Sequence, residues 1–252
     1  YGHRVLGRAI GLIFVVPFLY FWFAGRIERP RRSRFLIALA LGGSQGLLGW
    51  FMVKSGLVDR PSVSHFRLAA HLCLALFILA YVFDLVLSMS TQQSTAVPSG
   101  FRRIVQIFTL LLVAQLIYGG FTAGLKAGLG FNTYPKMGEA WIAEAALTLA
   151  PFWLNWFENG AMIQFIHRWL GLAVLVAAAV TLGAALSQDA GVRVRRAAGL
   201  CVGLVFVQFL LGIITLITVV PLSWALTHQV FACFVVLGLT YLNFLVRPRA
   251  AT

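Results

Sequence analysis

The chain has 252 residues, of which 60% are hydrophobic and 11% charged, with 20 Lys+Arg against 7 Asp+Glu for a formal charge of +13. A soluble domain carries about 25% charged residues, so a water-soluble globule is excluded. The basic residues sit in short clusters between long apolar runs, which is the layout of a membrane protein and not of a nucleic-acid binder.

A membrane-crossing helix needs about 20 apolar residues. Seven segments meet that length: 5–24, 35–53, 67–89, 104–123, 162–186, 197–219 and 223–246. The fold class is therefore an all-α integral membrane protein with seven transmembrane helices. The first run has no small-residue cleavage site after a short apolar core, so it reads as a span and not as a signal peptide. Arg26, Arg29, Arg31, Arg32 and Arg34 follow the first span. Arg102 and Arg103 precede the fourth, Arg193, Arg195 and Arg196 precede the sixth, and Arg247 and Arg249 follow the seventh. Alternating spans bring all four clusters to one side, which the positive-inside rule makes the cytoplasm or the mitochondrial matrix. The other side receives the 54–66 loop, a long 124–161 connection and the short Val219–Leu222 turn. Trp141, Trp153 and Trp156 suit a connection lying in the outer interface. Cys73, Cys201 and Cys233 all fall in apolar runs, without metal-ligand or disulfide spacing.

Two stretches of the chain resemble each other. HRVLGRAIGL from His3, QGLLGW from Gln45 and a helix containing His71 match HRWLGLAVLV from His167, QFLLGI from Gln208 and a helix containing His228. The His-to-Gln separations are 42 and 41 residues. Three ordered features at near-equal spacing indicate a duplicated unit. The second unit has a helix, 104–123, upstream of its His-Arg pair. The duplication predicts an equivalent helix upstream of Tyr1, hence a 4+4 parent architecture with the first helix missing from this chain. It also predicts two units: 1–103, an N-terminal half bundle, and 104–252, a four-helix bundle that includes the outer connection 124–161.

His3, His71, His167 and His228 each fall near the outer end of a span running outside to inside. Ionisable groups at such depth are costly and mark function. Two neutral imidazoles from facing helices suit haem iron. Zinc would need further ligands, and no Cys, Asp or Glu is placed to supply them. Arg4 and Arg168 adjoin two of the histidines, and Arg67 lies one turn before His71, so all three are candidates to pair haem propionates. His228 has Trp224 in the corresponding place. Gly7, Gly11, Gly171 and Gly212 would let a flat macrocycle approach the helices, or serve helix packing. Gln45, Gln115 and Gln208 read as interhelical hydrogen bonds or haem contacts. His65 reads as a solvated loop residue, Glu158 as an acid near the N-terminus of the His167 helix, and the Asn132–Pro135 segment as a turn. Asp84 has no evident cationic partner.

The strings HRVLGRAIGL, QGLLGWFMVKSGL, RLAAHL, YGGFTAGLKAG, FNTYPKM and FENGAMIQFIHR resemble the haem A synthase family over about His3 to Gln229. That resemblance implies two four-helix bundles and an oxidoreductase that converts the C8 methyl of haem O to a formyl group by successive hydroxylations, for cytochrome c oxidase biogenesis. It implies haem O as substrate at His3 and His71, the catalytic site, and haem b as cofactor at His167 and His228. It also implies haem O synthase and an electron donor or acceptor as partners, and a multi-pass location in a bacterial plasma membrane or mitochondrial inner membrane. The family's functional Glu, three residues before the first His, and its first-helix Gly-Gly-Thr-Arg motif would both precede Tyr1. A di-haem cytochrome b engaged only in electron transfer would use the same four histidines. A non-enzymatic haem chaperone would need one weak site. A homo-oligomer is left open.

Overall fold

A computed structural model describes residues 2–56, 64–90 and 94–248. The described residues are helical, without strands. Seven long helices are apolar enough to cross a membrane, so the chain is a multi-pass membrane protein. They are α1 (Gly2–Phe23), α2 (Arg29–Gly56), α3 (His65–Met89), α4 (Ser99–Gly124), α6 (Gly160–Ser187), α7 (Val192–Ile217) and α8 (Leu222–Val246). A one-turn helix, α5 (Asn155–Glu158), and three short 3-10 turns lie in the connection between α4 and α6. Arg249 and residues 57–63 of the predicted 54–66 loop lie outside the described residues.

Five of the seven observed helices cover their predicted spans, α1 ending at Phe23 and α7 at Ile217 just short of theirs, and all begin earlier. The basic clusters at Arg29–Arg34, Arg102–Arg103 and Arg193–Arg196 are themselves helical. Long cationic side chains can cover apolar helix surface while their charges reach water, so the charge boundary is not the helix boundary. Val219, which closes the predicted 197–219 span and opens the predicted Val219–Leu222 turn, belongs to the turn: Val219 and Val220 have φ of 63° and 56° and lead into α8.

The termini are closed locally. At the end of α1, Arg26 N–H donates to the Phe21 carbonyl at 3.0 Å while Gly25 takes φ 66°, a left-handed stop that glycine allows. The N-terminus of α6 is capped by Asn159, whose Oδ1 accepts from the N–H groups of Ala161 and Met162. The cap is thus Asn159 and not Glu158, which is the last residue of α5. Hydroxyls inside the spans bond back one turn. Thr109, Thr122, Thr181, Thr215 and Thr240 each donate to the carbonyl four residues earlier. In lipid that removes a polar group which would otherwise lack a partner.

Helices α4, α6, α7 and α8 pack in a closed ring. The α3 helix lies against α4 and α8, α2 lies on α3, and α1 packs chiefly on α2. The ring is solid at one end and hollow at the other. Phe101, Val105 and Phe108 of α4, Ala178 and Ala185 of α6, Val194, Ala198 and Cys201 of α7, and Leu239, Leu242 and Leu245 of α8 form the buried core. These residues come from the first halves of α4 and α7 and the second halves of α6 and α8. The remaining halves of the same four helices face a cavity. Tight packing of small and apolar side chains is the main attraction between helices in lipid, so the solid end anchors the ring and the hollow end is free to hold polar groups.

An ion cluster ties the helices on the basic side. Arg34 Nη2 of α2 lies 2.6 Å from Asp84 Oδ2 of α3, and Arg247 Nη1, just after α8, lies 3.6 Å from Asp84 Oδ1. Arg34 also donates to Ser88 Oγ at 2.8 Å. The expectation that Asp84 lacks a cationic partner is therefore corrected. Its partners are 50 or more residues distant in sequence.

Candidate functional site

The cavity in the hollow end of the ring has a volume of about 440 Å³, within the usual range for a small-molecule site. Its floor is Leu76, Leu112, Val174, Val205 and Val235, where the packed core begins. His167 of α6 and His228 of α8 both line it, with Gln115, Gln208, Gly119 and Gly212. His167 is the eighth residue of α6 and His228 the seventh of α8, so both lie about 10 Å along their helices at 1.5 Å per residue. His71 is likewise the seventh residue of α3. The four histidines fall into two pairs. His167 and His228 share the cavity, and the rings of His3 and His71 have centroids 6.4 Å apart, tilted by 58°.

One local arrangement recurs at three of the four histidines. A glutamine and a glycine one turn apart on the neighbouring helix face each ring. Gln45 Nε2 donates to the His71 carbonyl at 3.0 Å and lies 3.4 Å from its ring Nε2. Gln208 Nε2 donates to the His228 carbonyl at 3.0 Å and lies 3.5 Å from its ring Nε2. A Cβ added at Gly49, Gly119 or Gly212 would stand 3.1, 3.1 or 3.0 Å from Cε1 of His71, His167 or His228. The Nδ1 atoms of these three rings, and the Oε1 atoms of Gln45, Gln115 and Gln208, are buried without a hydrogen-bond partner. Gln45 and Gln208 are thus interhelical hydrogen-bond donors, one of the two readings their sequence left open. Gly171 also stands in close quarters, since a Cβ there would lie 3.2 Å from Gln115 Nε2. Gly7 and Gly11 have nothing within 4 Å of such a Cβ.

The connection after α4 closes over this end of the ring. Gln164 Nε2 donates to the carbonyls of Ala127 and Gly130 at 2.9 and 2.7 Å. Arg168, one turn further along α6, donates through Nη1 to the carbonyls of Thr133 and Lys136 at 2.7 and 3.0 Å and through Nη2 to that of Phe131 and to Gln164 Oε1. Asn132 ties the same segment to the end of α7 through the Leu216 carbonyl at 2.8 Å. The planar guanidinium fork is suited to spanning several acceptors at once. The loop so held brings Tyr134 to the cavity wall, edge-on to Phe209 at 6.0 Å. Burial pushes the Tyr134 phenol above its ordinary range, with the Arg168 charge pulling the other way, so the group is a neutral hydroxyl at physiological pH.

The predicted cations have different surroundings. Arg168 lines the cavity, but its two terminal nitrogens are committed to the loop, and only Nε is buried without a partner. Arg67 lies over the Phe51 ring at 4.8 Å. Arg4 is exposed on α1. Lys126, which the sequence reading passed over, lines the cavity at its loop end. It sits within the quoted YGGFTAGLKAG string, where a cation just past the end of a span was the available signal.

His65 is corrected. It is not a solvated loop residue but the first residue of α3, 7% exposed. Its Nε2 lies 2.8 Å from the Phe157 carbonyl and 3.9 Å from Glu158 Oε2, so it fastens α3 to α5. Among the described residues no group of three or more His, Cys, Asp or Glu could hold a metal ion.

The fold and site define a class: a multi-pass helical membrane protein with paired imidazoles on its long helices, one pair of them lining a loop-capped cavity. The COX15-CtaA family, described as cytochrome oxidase assembly protein, matches residues 1–240, and the chain belongs to that family. It is 42% identical over 238 residues to the heme A synthase of Mesorhizobium japonicum, covering 94% of this chain and 65% of that protein. It is 41% identical over 242 residues to the heme A synthase of Wolbachia sp. subsp. Brugia malayi, covering 94% and 70%, and 39% identical over 235 residues to that of Brucella ovis, covering 93% and 66%. The chain thus spans about two thirds of the length of these relatives. No solved structure matches it.

Proposed function

We propose that the protein acts as a haem A synthase, oxidising the C8 methyl of haem O to a formyl group. The carrying observation is the pairing of four intramembrane histidines, with the rings of His3 and His71 at 6.4 Å and those of His167 and His228 on one cavity. A metal–imidazole bond is about 2 Å, so rings at that spacing would be within reach of one iron ion held between them. The chain's own groups suit that occupant. A glycine lies against three of the four rings, and Nδ1 of each of those three rings is buried without a hydrogen-bond partner.

His3 and His71 would hold the haem O substrate, and His167 and His228 a haem b cofactor. Haem supplies the redox chemistry that side chains lack. The protein's part is to ligate, to orient and to exclude water. Lys126 supplies positive charge for propionates at the mouth of the second site, and Arg168 holds the loop that covers it. Arg4 and Arg67 are the cations available to the first. In this reading the chain has two units, 1–103 and 104–252. Its basic clusters and C-terminus lie in the cytoplasm or matrix, and the membrane is a bacterial plasma membrane or a mitochondrial inner membrane. Haem O synthase and an electron carrier complete the pathway.

The test is co-expression of the full-length protein with a haem O source, followed by chromatography and mass analysis of the extracted haem. A haem A peak is expected. Bound haem B and haem O with no haem A would leave a di-haem electron carrier instead.

A further inference from the structure

Three histidines of different helices meet the same pair of residues. His71, His167 and His228 each press the Cε1 edge of the ring against a glycine, and in each case a glutamine stands one turn before that glycine. The pairs are Gln45 and Gly49 on α2, Gln115 and Gly119 on α4, and Gln208 and Gly212 on α7. The added-Cβ distances to Nδ1 are 3.7, 3.7 and 3.6 Å, and to Nε2 3.8, 4.0 and 3.8 Å. The two ring nitrogens therefore straddle the glycine nearly evenly each time. General helix packing would not reproduce one ring pose at three places. Carbon atoms pack at about 3.5–4.0 Å, so the 3.0–3.1 Å approach exists only because the Cβ is absent. The imidazole is rigid. Pushing Cε1 away carries Nε2 with it.

The glutamine fixes the other coordinate. Gln45 and Gln208 bond the histidine backbone carbonyl while standing 3.4–3.5 Å from ring Nε2. The Oε1 atoms of all three glutamines stay buried without a partner. An unsatisfied buried acceptor is costly, and the chain carries one at the same structural place three times. Such a cost is characteristic of a functional constraint and not of optimal packing.

We propose that Gln45–Gly49, Gln115–Gly119 and Gln208–Gly212 are positioning residues, seats that fix the height and rotation of the His71, His167 and His228 imidazoles and thereby the field they impose on a bound iron. This rests on the haem reading above. The glycine sets how close the ring lies to the neighbouring helix. At His71 and His228 the glutamine also locks the turn of the histidine's own helix from which the ring projects. The seat is one helix–helix contact, so each ligand can be tuned separately.

The experiment uses the purified full-length protein from haem-replete cells, read by absorption and electron paramagnetic resonance per mole of haem. Gly212→Ala and Gly119→Ala are expected to convert a low-spin bis-imidazole signal partly to high spin and to speed haem loss to apomyoglobin at least tenfold. Gly203→Ala, on α7 but with nothing within 4 Å of the added Cβ, is expected to leave both readings unchanged. Gln208→Leu keeps the bulk and removes the amide, so it guards against a glycine variant that fails to fold. Its expected effect is a shifted low-spin g-value at retained haem content. If the Gly212→Ala and Gln208→Leu proteins carry haem with the parent's spectrum and off-rate, the seats are overturned while the haem reading stands. If the parent itself carries no haem, the haem reading fails first and takes the seats with it.

Discussion

The chain offers the same ligand seat in two different settings. Gln45 and Gln208 each donate to the carbonyl of His71 or His228 at 3.0 Å, and a Cβ added at Gly49 or Gly212 would meet the ring at 3.1 or 3.0 Å. Beyond that first contact the halves diverge. The α4, α6, α7 and α8 helices close a ring over a packed floor and under a stitched loop. The α1 and α2 helices lie on the flank of α3, and α1 buries 6% of its apolar window where α8 buries 44%. Ligand geometry is therefore a property of a helix pair, whereas enclosure is a property of the whole ring.

That contrast can be broken most forcefully at the ligands. His167→Ala or His228→Ala should abolish the low-spin haem of the ring in purified protein, while His3→Ala should spare it. The opposite pattern in absorption spectra would mean that the two halves have exchanged roles. Next comes the cap. Arg168→Ala strands several loop carbonyls, each worth about 1–3 kcal/mol when buried. The expected result is a fall in Tm on the order of 10 °C and faster haem loss from the ring, with the His3–His71 half unaffected. Arg168→Lys, a point charge without the fork, should recover less than half of the deficit in the same melting assay. A smaller effect is expected at the joint between the halves. Asp84→Asn weakens its contacts with Arg34 and Arg247 and should cost about 1 kcal/mol, seen as earlier proteolysis of α1 and α2 with an unchanged ring spectrum. The smallest is Asn159→Ala, which removes the α6 cap for about 1 kcal/mol and should lower Tm by a few degrees without moving the spectrum.

Much of this was legible in the residues. Hydropathy located all seven long helices, because a span must satisfy its backbone internally and be apolar along its length. The repeated His and Gln spacings located two seats in part. The Gln115–Gly119 seat escaped notice although QLIYG carries the same spacing as QGLLG and QFLLG. What stayed hidden depended on partners distant in sequence. Asp84 finds Arg34 across 50 residues and His65 finds Phe157 across 92, and no local pattern announces either. Arg168 was read as a propionate partner from its place beside His167. The loop that takes its terminal nitrogens lies more than 30 residues earlier, and carbonyl acceptors leave no trace in side-chain identity.

The solid end of the ring contains none of the four histidines. On the haem reading, packing at that end would not wait for iron, and the bundle would form in the bilayer before the porphyrin is bound. Protein made in haem-starved cells should accordingly resist protease across α7 and α8 as well as the loaded form does, and differ from it in the protection of the Phe131–Lys136 segment.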